Sequence, residues 1–268
     1  MNIICICGSG TMGTGIAQVA ASAGFETIVY DVNESVINKA NEKLQKDLQI
    51  LVDKQKISPE KSRDIKDKIE FTADINKCVA EVIIEAVIEK MEVKVSLFTQ
   101  LAKINSQKTI FATNTSSLSV SALATKIPGP ARVAGLHFFN PAPVMKLVEI
   151  VRGEETSDEI INRLVQLTIE FGKQPVICKD APGFIVNRVA RPFYIESLRI
   201  AESNIADFET IDRLLESRGF KMGPFKLMDL IGNDINYAVS CSVYDQLDQP
   251  ERLKPSVIQK EKVEKGDL

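Results

Sequence analysis

The sequence holds a single histidine, His137, so any step that needs an imidazole has one candidate. An imidazole titrates near neutral pH and suits the removal of a hydroxyl proton from an alcohol as hydride leaves. His137 closes a strand-like run in Gly135-Leu136-His137-Phe138-Phe139-Asn140-Pro141. A lone histidine also serves structural roles, and residue type alone does not choose between the two. Glu149 is the second unusual residue. It shares a strand face with Met145 and Leu147, while Val148 and Ile150 take the other face. A carboxylate in so apolar a strand is costly unless paired. Paired with His137, it would fix the ring tautomer and favour the imidazolium. The pairing carries a geometric condition. A tight hairpin over residues 139–144 would set His137 opposite Lys146 and leave Glu149 ~10 Å along the strand, at ~3.3 Å per residue. The pair therefore needs a wider connection, and the sequence leaves both forms open.

A second chemical signal stands at the N-terminus. Gly8-Ser9-Gly10-Thr11-Met12-Gly13 has the form G-x-G-x-x-G, directly after the apolar run Ile3-Ile4-Cys5-Ile6-Cys7 and at the start of a helical pattern. In that context the glycines permit a tight turn, a close backbone approach to a pyrophosphate and packing of helix on strand. The helix N-terminus then offers free N–H groups to phosphate. Asp31 ends the next strand-like run, where an acid accepts hydrogen bonds from ribose hydroxyls and repels a 2′-phosphate. NAD is the expected cofactor, ahead of NADP. FAD and a purely structural glycine turn are the alternatives.

Those residues need a scaffold, and the pattern supplies one. Strand-like runs at 2–7, 27–30, 69–71, 82–86 and 109–112 alternate with helical spacing at 12–23, 34–53 and 91–103. Ser58-Pro59 reads as an N-cap and first helical residue. Further strands are expected at Val133–Phe138 and Met145–Val151. Alternation of this kind builds a mostly parallel sheet with helices on both faces, and sites collect at the strands' carboxyl ends. From Phe184 onward the periodicity is helical. The expected fold class is α/β: a Rossmann-type domain over 1–180, with a Lys- and Arg-rich helical projection at 34–68, then an all-helical domain over 181–268. The charged tail from Lys260 to Asp267 is expected to be mobile.

Composition narrows the function classes. Apolar residues make up 44% and charged residues 26%, and the formal net charge is −3. That balance gives no basic footprint for nucleic acid. No run approaches the ~20 apolar residues of a membrane span, and no secretory signal is read at the start. The five cysteines are an odd number without metal-ligand spacing, and Cys5 and Cys7 share one strand face. They read as small core residues, and neither a disulfide framework nor a metal site is expected. A cytoplasmic setting follows.

The stretches GSGTMGTGIAQ (8–18), VIIEAVIEKMEVK (82–94), ATNTSSLSV (112–120), GLHFFNPAPVMKLVEIV (135–151), DAPGFIVNRV (180–189) and GPFKLMDLIG (223–232) carry a resemblance over almost the whole chain. The sequence resembles the L-3-hydroxyacyl-CoA dehydrogenase family, and within it the bacterial 3-hydroxybutyryl-CoA dehydrogenases. The resemblance implies NAD-dependent oxidation of a short-chain (3S)-3-hydroxyacyl-CoA to the 3-oxoacyl-CoA, and the reverse, within fatty acid or butanoate metabolism. It implies a catalytic pair at His137 and Glu149. Ser116 would contact the substrate, Asn187 would lie beside it, and Asn140 would shape the site. Glu89, Lys94 and Asn114 would line the nicotinamide half of the cofactor pocket, beside the loop residues Gly8, Gly10, Thr11, Met12 and Gly13 and with Asp31 at the ribose. Glu89 and Lys94 read equally as surface charges, and Ser116 as a helix cap.

The basic projection suggests Lys54 and Lys56 for the phosphates of an acyl-CoA partner, against a solvated helix face. A homodimer through the helical half is expected, from the apolar run Phe184, Ile185, Val189, Phe193, Ile195 and Leu198. Two departures stand out. Gly232-Asn233-Asp234 lacks a histidine that many relatives have there. The family pattern also continues into a short Gly/Lys/Arg segment ending in an aromatic residue; either that segment lies outside this sequence or the helical domain is shortened, and both readings stay open. The rival readings are an NAD dehydrogenase of a hydroxyacid or sugar acid without CoA, and a non-catalytic dinucleotide-binding protein.

Overall fold

The computed structural model describes residues 3–267. The chain divides into two compact units, Met1–Asp180 and Ala181–Leu268. The first is built on one eight-stranded sheet. Its strands are β1 (Ile3–Cys7), β2 (Glu26–Tyr30), β3 (Ile69–Thr72), β4 (Val82–Glu85), β5 (Ile110–Thr113), β6 (Val133–Phe138), β7 (Leu147–Arg152) and β8 (Gln174–Lys179). They lie in the order β3-β2-β1-β4-β5-β6-β7-β8. Every neighbouring pair is parallel except β6 with β7. The order reverses beside β1, which pairs with β2 on one side and β4 on the other, so the carboxyl ends of β1 and β4 open a crevice there.

The apolar strands are buried on both faces, as a covered parallel sheet requires. Ile4, Ile6, Ile84, Leu136, Val148 and Ile150 pack with Ile16, Ala17 and Ala20 of α1 (Thr11–Ser22) in the principal core. Helices α2 (Glu34–Asp53) and α3 (Pro59–Asp67) form the projection. It has its own small core, in which Leu44, Leu48 and Ile65 meet Ala21 of α1. Ser58 caps α3 by accepting from Lys61 N. Helix α4 (Met91–Ile104) connects β4 to β5.

Elements outside the sequence reading are the short α5 (Val120–Ala124), α6 (Asp158–Glu170) and β8. Ile161, Leu164, Leu167 and Thr168 of α6 are buried at helical spacing, so that signal was present. Strand β8 shows no clean alternation of buried and exposed residues, because it is an edge strand. Met145 and Lys146 are not strand residues; β7 begins at Leu147.

The second unit is helical: α7 (Val186–Glu202), α8 (Phe208–Ser217), α9 (Pro224–Ile231), α10 (Asn233–Gln246) and α11 (Val257–Lys265). Tyr194, Leu198, Ile211, Phe225 and Met228 form its core. The expectation of a mobile tail is corrected here. Residues 257–265 are helical because Ser256 caps them, accepting from Gln259 N, and because the buried Gln259 side chain donates to Asn236 Oδ1 at 3.1 Å. All five cysteines are free thiols. Among the described residues no helix is long and apolar enough to cross a membrane.

Candidate active site

The glycine loop has the geometry that a dinucleotide needs. Gly8 sits at φ +102°, and a Cβ there would lie 2.5 Å from the Ala86 carbonyl oxygen. A Cβ on Gly13 would fall 1.8 Å from the Gly8 oxygen, so only glycine lets α1 start this close to β1. Gly10 is different, because nothing stands within 4 Å of where its Cβ would be. That open backbone, with the α1 N-terminus beyond it, is the cradle a pyrophosphate fits. Thr11 is exposed at the first turn, and Met12 packs partly against the core.

A cavity of about 730 Å³ extends from Gly8 and Gly10 to Asp31, walled by Val32, Ile88 and Val93. Asp31 is set at its edge by two bonds from Ser9, whose N and Oγ donate to Oδ2 at 2.9 and 3.0 Å. Its Oδ1 accepts from Asn33 N at 3.1 Å. An apolar slot beside an anchored carboxylate and an open glycine backbone fits the three parts of a dinucleotide: adenine, ribose and phosphate.

A buried charged network runs from the end of β4. Glu85 is fully buried and accepts four bonds. Lys94 Nζ donates to both oxygens at 2.7 and 2.8 Å, Thr113 Oγ1 to Oε2 at 2.7 Å and Val87 N to Oε1 at 2.7 Å. Lys94 is 1% exposed, which removes the surface-charge reading. It also pairs with Glu89 Oε2 at 3.1 Å. Glu89 Oε1 accepts from Thr115 Oγ1, Ser116 N, Ser117 N and Ser117 Oγ, and so holds the loop that follows β5. Burial alone would raise the Glu89 carboxyl, but the Lys94 charge and the Thr115 hydroxyl hold it below its ordinary value. Asn114 Oδ1 accepts from Phe138 N at 2.8 Å, which ties that loop to the end of β6.

The condition on the histidine pair is met. Strands β6 and β7 pair antiparallel with His137 opposite Glu149, joined by residues 139–146 rather than by a tight hairpin. His137 Nδ1 lies 2.7 Å from Glu149 Oε2. Both side chains are buried, at 7% and 1% exposure. The His137 ring also packs on Phe139, with centroids 4.6 Å apart. Burial, together with the nearby Glu149 charge, pushes the Cys178 thiol up to about 12.

The two domains match the models of the family in turn. Residues 3–181 match the "3-hydroxyacyl-CoA dehydrogenase, NAD binding domain", and residues 183–268 the C-terminal domain of the same enzymes. The chain belongs to the 3-hydroxyacyl-CoA dehydrogenase family. It is 47% identical over 267 residues to a 3-hydroxyadipyl-CoA dehydrogenase of Escherichia coli, covering 99% of this chain and 56% of that protein. The chain thus spans little more than half of that relative's length. A crystal structure of a 3-hydroxybutyryl-CoA dehydrogenase from the same species superposes with a TM-score of 0.96 at 46% identity, covering 99% of this chain and 57% of that one. A (S)-3-hydroxybutyryl-CoA dehydrogenase from Ralstonia eutropha superposes with a TM-score of 0.95 at 32% identity, covering 99% and 94%.

Within this member of the 3-hydroxyacyl-CoA dehydrogenase family, the first unit joins Glu89, Lys94 and Ser116 in one bonded set, ties Asn114 to Phe138 at the end of β6, and pairs His137 with Glu149. Asn140 lies instead along a separate cavity of about 360 Å³ with Thr11, Gly15 and Lys43. Lys54 and Lys56 are exposed in the connection between α2 and α3. Asn187 belongs to the second unit, on α7. Sequence reasoning passed over Glu85, Thr113 and Thr115. The signal for Glu85 was its place in Val82-Ile83-Ile84-Glu85, a carboxylate at the end of a wholly buried strand.

Proposed function

We propose that this chain is an NAD-dependent dehydrogenase that interconverts the 3-hydroxyl of a short-chain (3S)-3-hydroxyacyl-CoA and the corresponding 3-oxoacyl-CoA. The observation that carries the reading is the His137 Nδ1–Glu149 Oε2 contact of 2.7 Å, at the carboxyl end of a strand in a dinucleotide-binding sheet. When bound, NAD accepts hydride from the carbinol carbon, and NADH returns it in reverse. With Nδ1 committed to Glu149, the proton exchanged with the substrate oxygen is held at Nε2. Glu149 stabilises the imidazolium during that exchange, in buried surroundings where water screens the pair little.

Asp31 accepts from the ribose hydroxyls and repels a 2′-phosphate, which selects NAD. Ser116, Asn140 and Asn187 are assigned to substrate contact or to shaping the site. Lys54 and Lys56 are assigned to the coenzyme A phosphates, supported by their exposure at the tip of the projection. The exposed Ile185 and Val189 of the second unit, 39% and 72% accessible, support a homodimer through that unit. Five free thiols suit a reducing compartment, the cytoplasm.

The test is NADH absorbance with acetoacetyl-CoA beside free acetoacetate. Oxidation of NADH with the CoA ester, and far less with the free acid, is the expected result. Turnover of the free acid alone would assign the chain to a hydroxyacid without CoA. No turnover of either would remove the catalytic reading.

A further inference from the structure

Residues 139–146 decide whether His137 meets Glu149, and something must hold them to this path. Inside the connection, Val144 N and Met145 N both donate to Pro141 O, at 2.9 and 3.0 Å. Ala142 is 2% exposed and packs into the principal core. A Cβ on Gly15 of α1 would lie 3.3 Å from both Ala142 Cβ and Pro143 Cδ, so one side of the connection rests on that helix.

On its other side the carbonyls converge on Lys173. Its Nζ donates to Ala142 O at 2.6 Å, Pro143 O at 3.1 Å and Met145 O at 2.8 Å. An ammonium has three protons, and all three are taken by backbone oxygens rather than by a carboxylate. Burial holds this ammonium below its ordinary pKa. The residue after it, Gln174, donates its N to Lys146 O at 2.8 Å and opens the pairing of β8 with β7. Lys173 therefore sits where β8 first meets β7 and reaches back to the carbonyls that precede β7. Without it, oxygens turned to one point would lose their partner. A closer hairpin would disperse them and set His137 opposite Lys146. A register change by an odd number of residues also turns Glu149 to the opposite face of the sheet.

We infer that Lys173 is a positioning residue for the His137–Glu149 pair, its ammonium acting as a cation that three loop carbonyls hold and that fixes the register of β6 with β7. The catalytic meaning of this role rests on the function proposed above; the register role does not. A cation held this way is replaceable by a free one when the side chain is shortened.

Two variants test it. Lys173→Ala leaves a space for an ammonium ion. Lys173→Met keeps the stem and donates nothing. Because the chain has one histidine, the ring signals of ¹⁵N-histidine-labelled protein are unambiguous. The hydrogen-bonded Nδ1 proton then reports the pair without substrate or cofactor. It is expected in the native protein and absent from both variants. Ammonium or methylammonium chloride, but not sodium chloride, restores it in Lys173→Ala only. Turnover of acetoacetyl-CoA falls about 10- to 100-fold in both variants, the usual effect of a misplaced catalytic group, with the same selective rescue and an unchanged Kd for NADH. An intact Nδ1 signal in either folded variant overturns the inference, and so does a lost signal that no amine restores. If Lys173→Ala does not fold, Lys173→Met decides on the signal alone. A native protein that shows the signal yet leaves acetoacetyl-CoA untouched refutes the proposed function and not the role of Lys173.

Discussion

Two buried glutamates lie in the same sheet with different partners. Glu85, at the end of β4, faces the Lys94 ammonium, the Thr113 hydroxyl and the Val87 amide. Glu149, within β7, faces the imidazole of His137. The first contact is an ion pair fixed by several bonds, whereas the second involves an imidazole, the side-chain type suited to proton exchange near neutral pH. Glu85 thus faces a fixed lysine, and the four bonds it accepts from three donor groups offset the desolvation of a buried pair. In the proposed reaction, Glu149 stabilises a charge that comes and goes with the substrate's proton. In the function proposed above, the difference separates a carboxylate that builds the site from one that takes part in its chemistry, although burial alone makes the two look alike.

The contrast breaks most visibly at the histidine. His137→Gln is expected to lower turnover by roughly 10²–10⁴, the usual worth of a positioned acid–base group, while leaving NADH binding and the melting temperature nearly intact. Glu149→Gln is expected to lower turnover by less. The double variant should be little worse than His137→Gln alone, because Glu149 acts through the imidazole. Steady-state kinetics of the three variants decide this. Additive losses would give Glu149 a separate role, and near-normal turnover in His137→Gln would end the mechanism.

The opposite pattern is expected at the other pair. Glu85→Gln leaves the buried Lys94 ammonium with only the partly exposed Glu89 carboxylate as counter-charge, and loss of a buried ion-pair partner typically removes up to ~3–5 kcal/mol of stability. Urea unfolding should show that loss directly. Replacing Glu85 and Lys94 together by Met should restore much of it, since the buried ammonium is then gone and the remaining Glu89 carboxylate is partly exposed. A Glu85→Gln protein of native stability with lost turnover would place Glu85 among the reacting groups and erase the contrast.

The smallest effect concerns the cofactor. Asp31→Ser removes the carboxylate that Ser9 anchors. It should narrow the preference for NADH over NADPH by about tenfold, close to the ~1.5 kcal/mol of one hydrogen bond to a charged group. Titrations of both cofactors against native and variant protein measure it, and a native protein that bound NADPH more tightly would refute the role given to Asp31.

Much of this arrangement was legible in the residues. The glycine loop, Asp31 and the alternating elements were readable because their signals are local: turn chemistry, a cap at Ser58 and the periodicity of apolar positions. The oddness of Glu149 was also visible, since a lone carboxylate in Leu147–Arg152 has to be explained. Its partner was not settled, because the register depends on the path of residues 139–146. That path is held by Lys173, Ala142 and Gly15, which are local to nothing but each other in space. Lys94 was equally opaque. Its helix shows ordinary charges, and only the sheet geometry sends this one to Glu85. The helix at 257–265 was misread because its charges suggest a solvated tail, while its one buried side chain, Gln259, is itself polar.

The polar contacts of the first unit have a further consequence for how the chain reaches its native state. Lys94 and Glu85 are 9 residues apart, His137 and Glu149 are 12, Ser9 and Asp31 are 22, and Lys173 and Ala142 are 31. Each therefore closes a short chain loop, and the entropy of closure grows only slowly with loop length. Contacts between near neighbours also form early relative to distant pairings. The His137–Glu149 pair and the glycine loop consequently belong to the part of the chain that can organise while later segments are still being made, and none of these contacts waits for residues beyond Lys173.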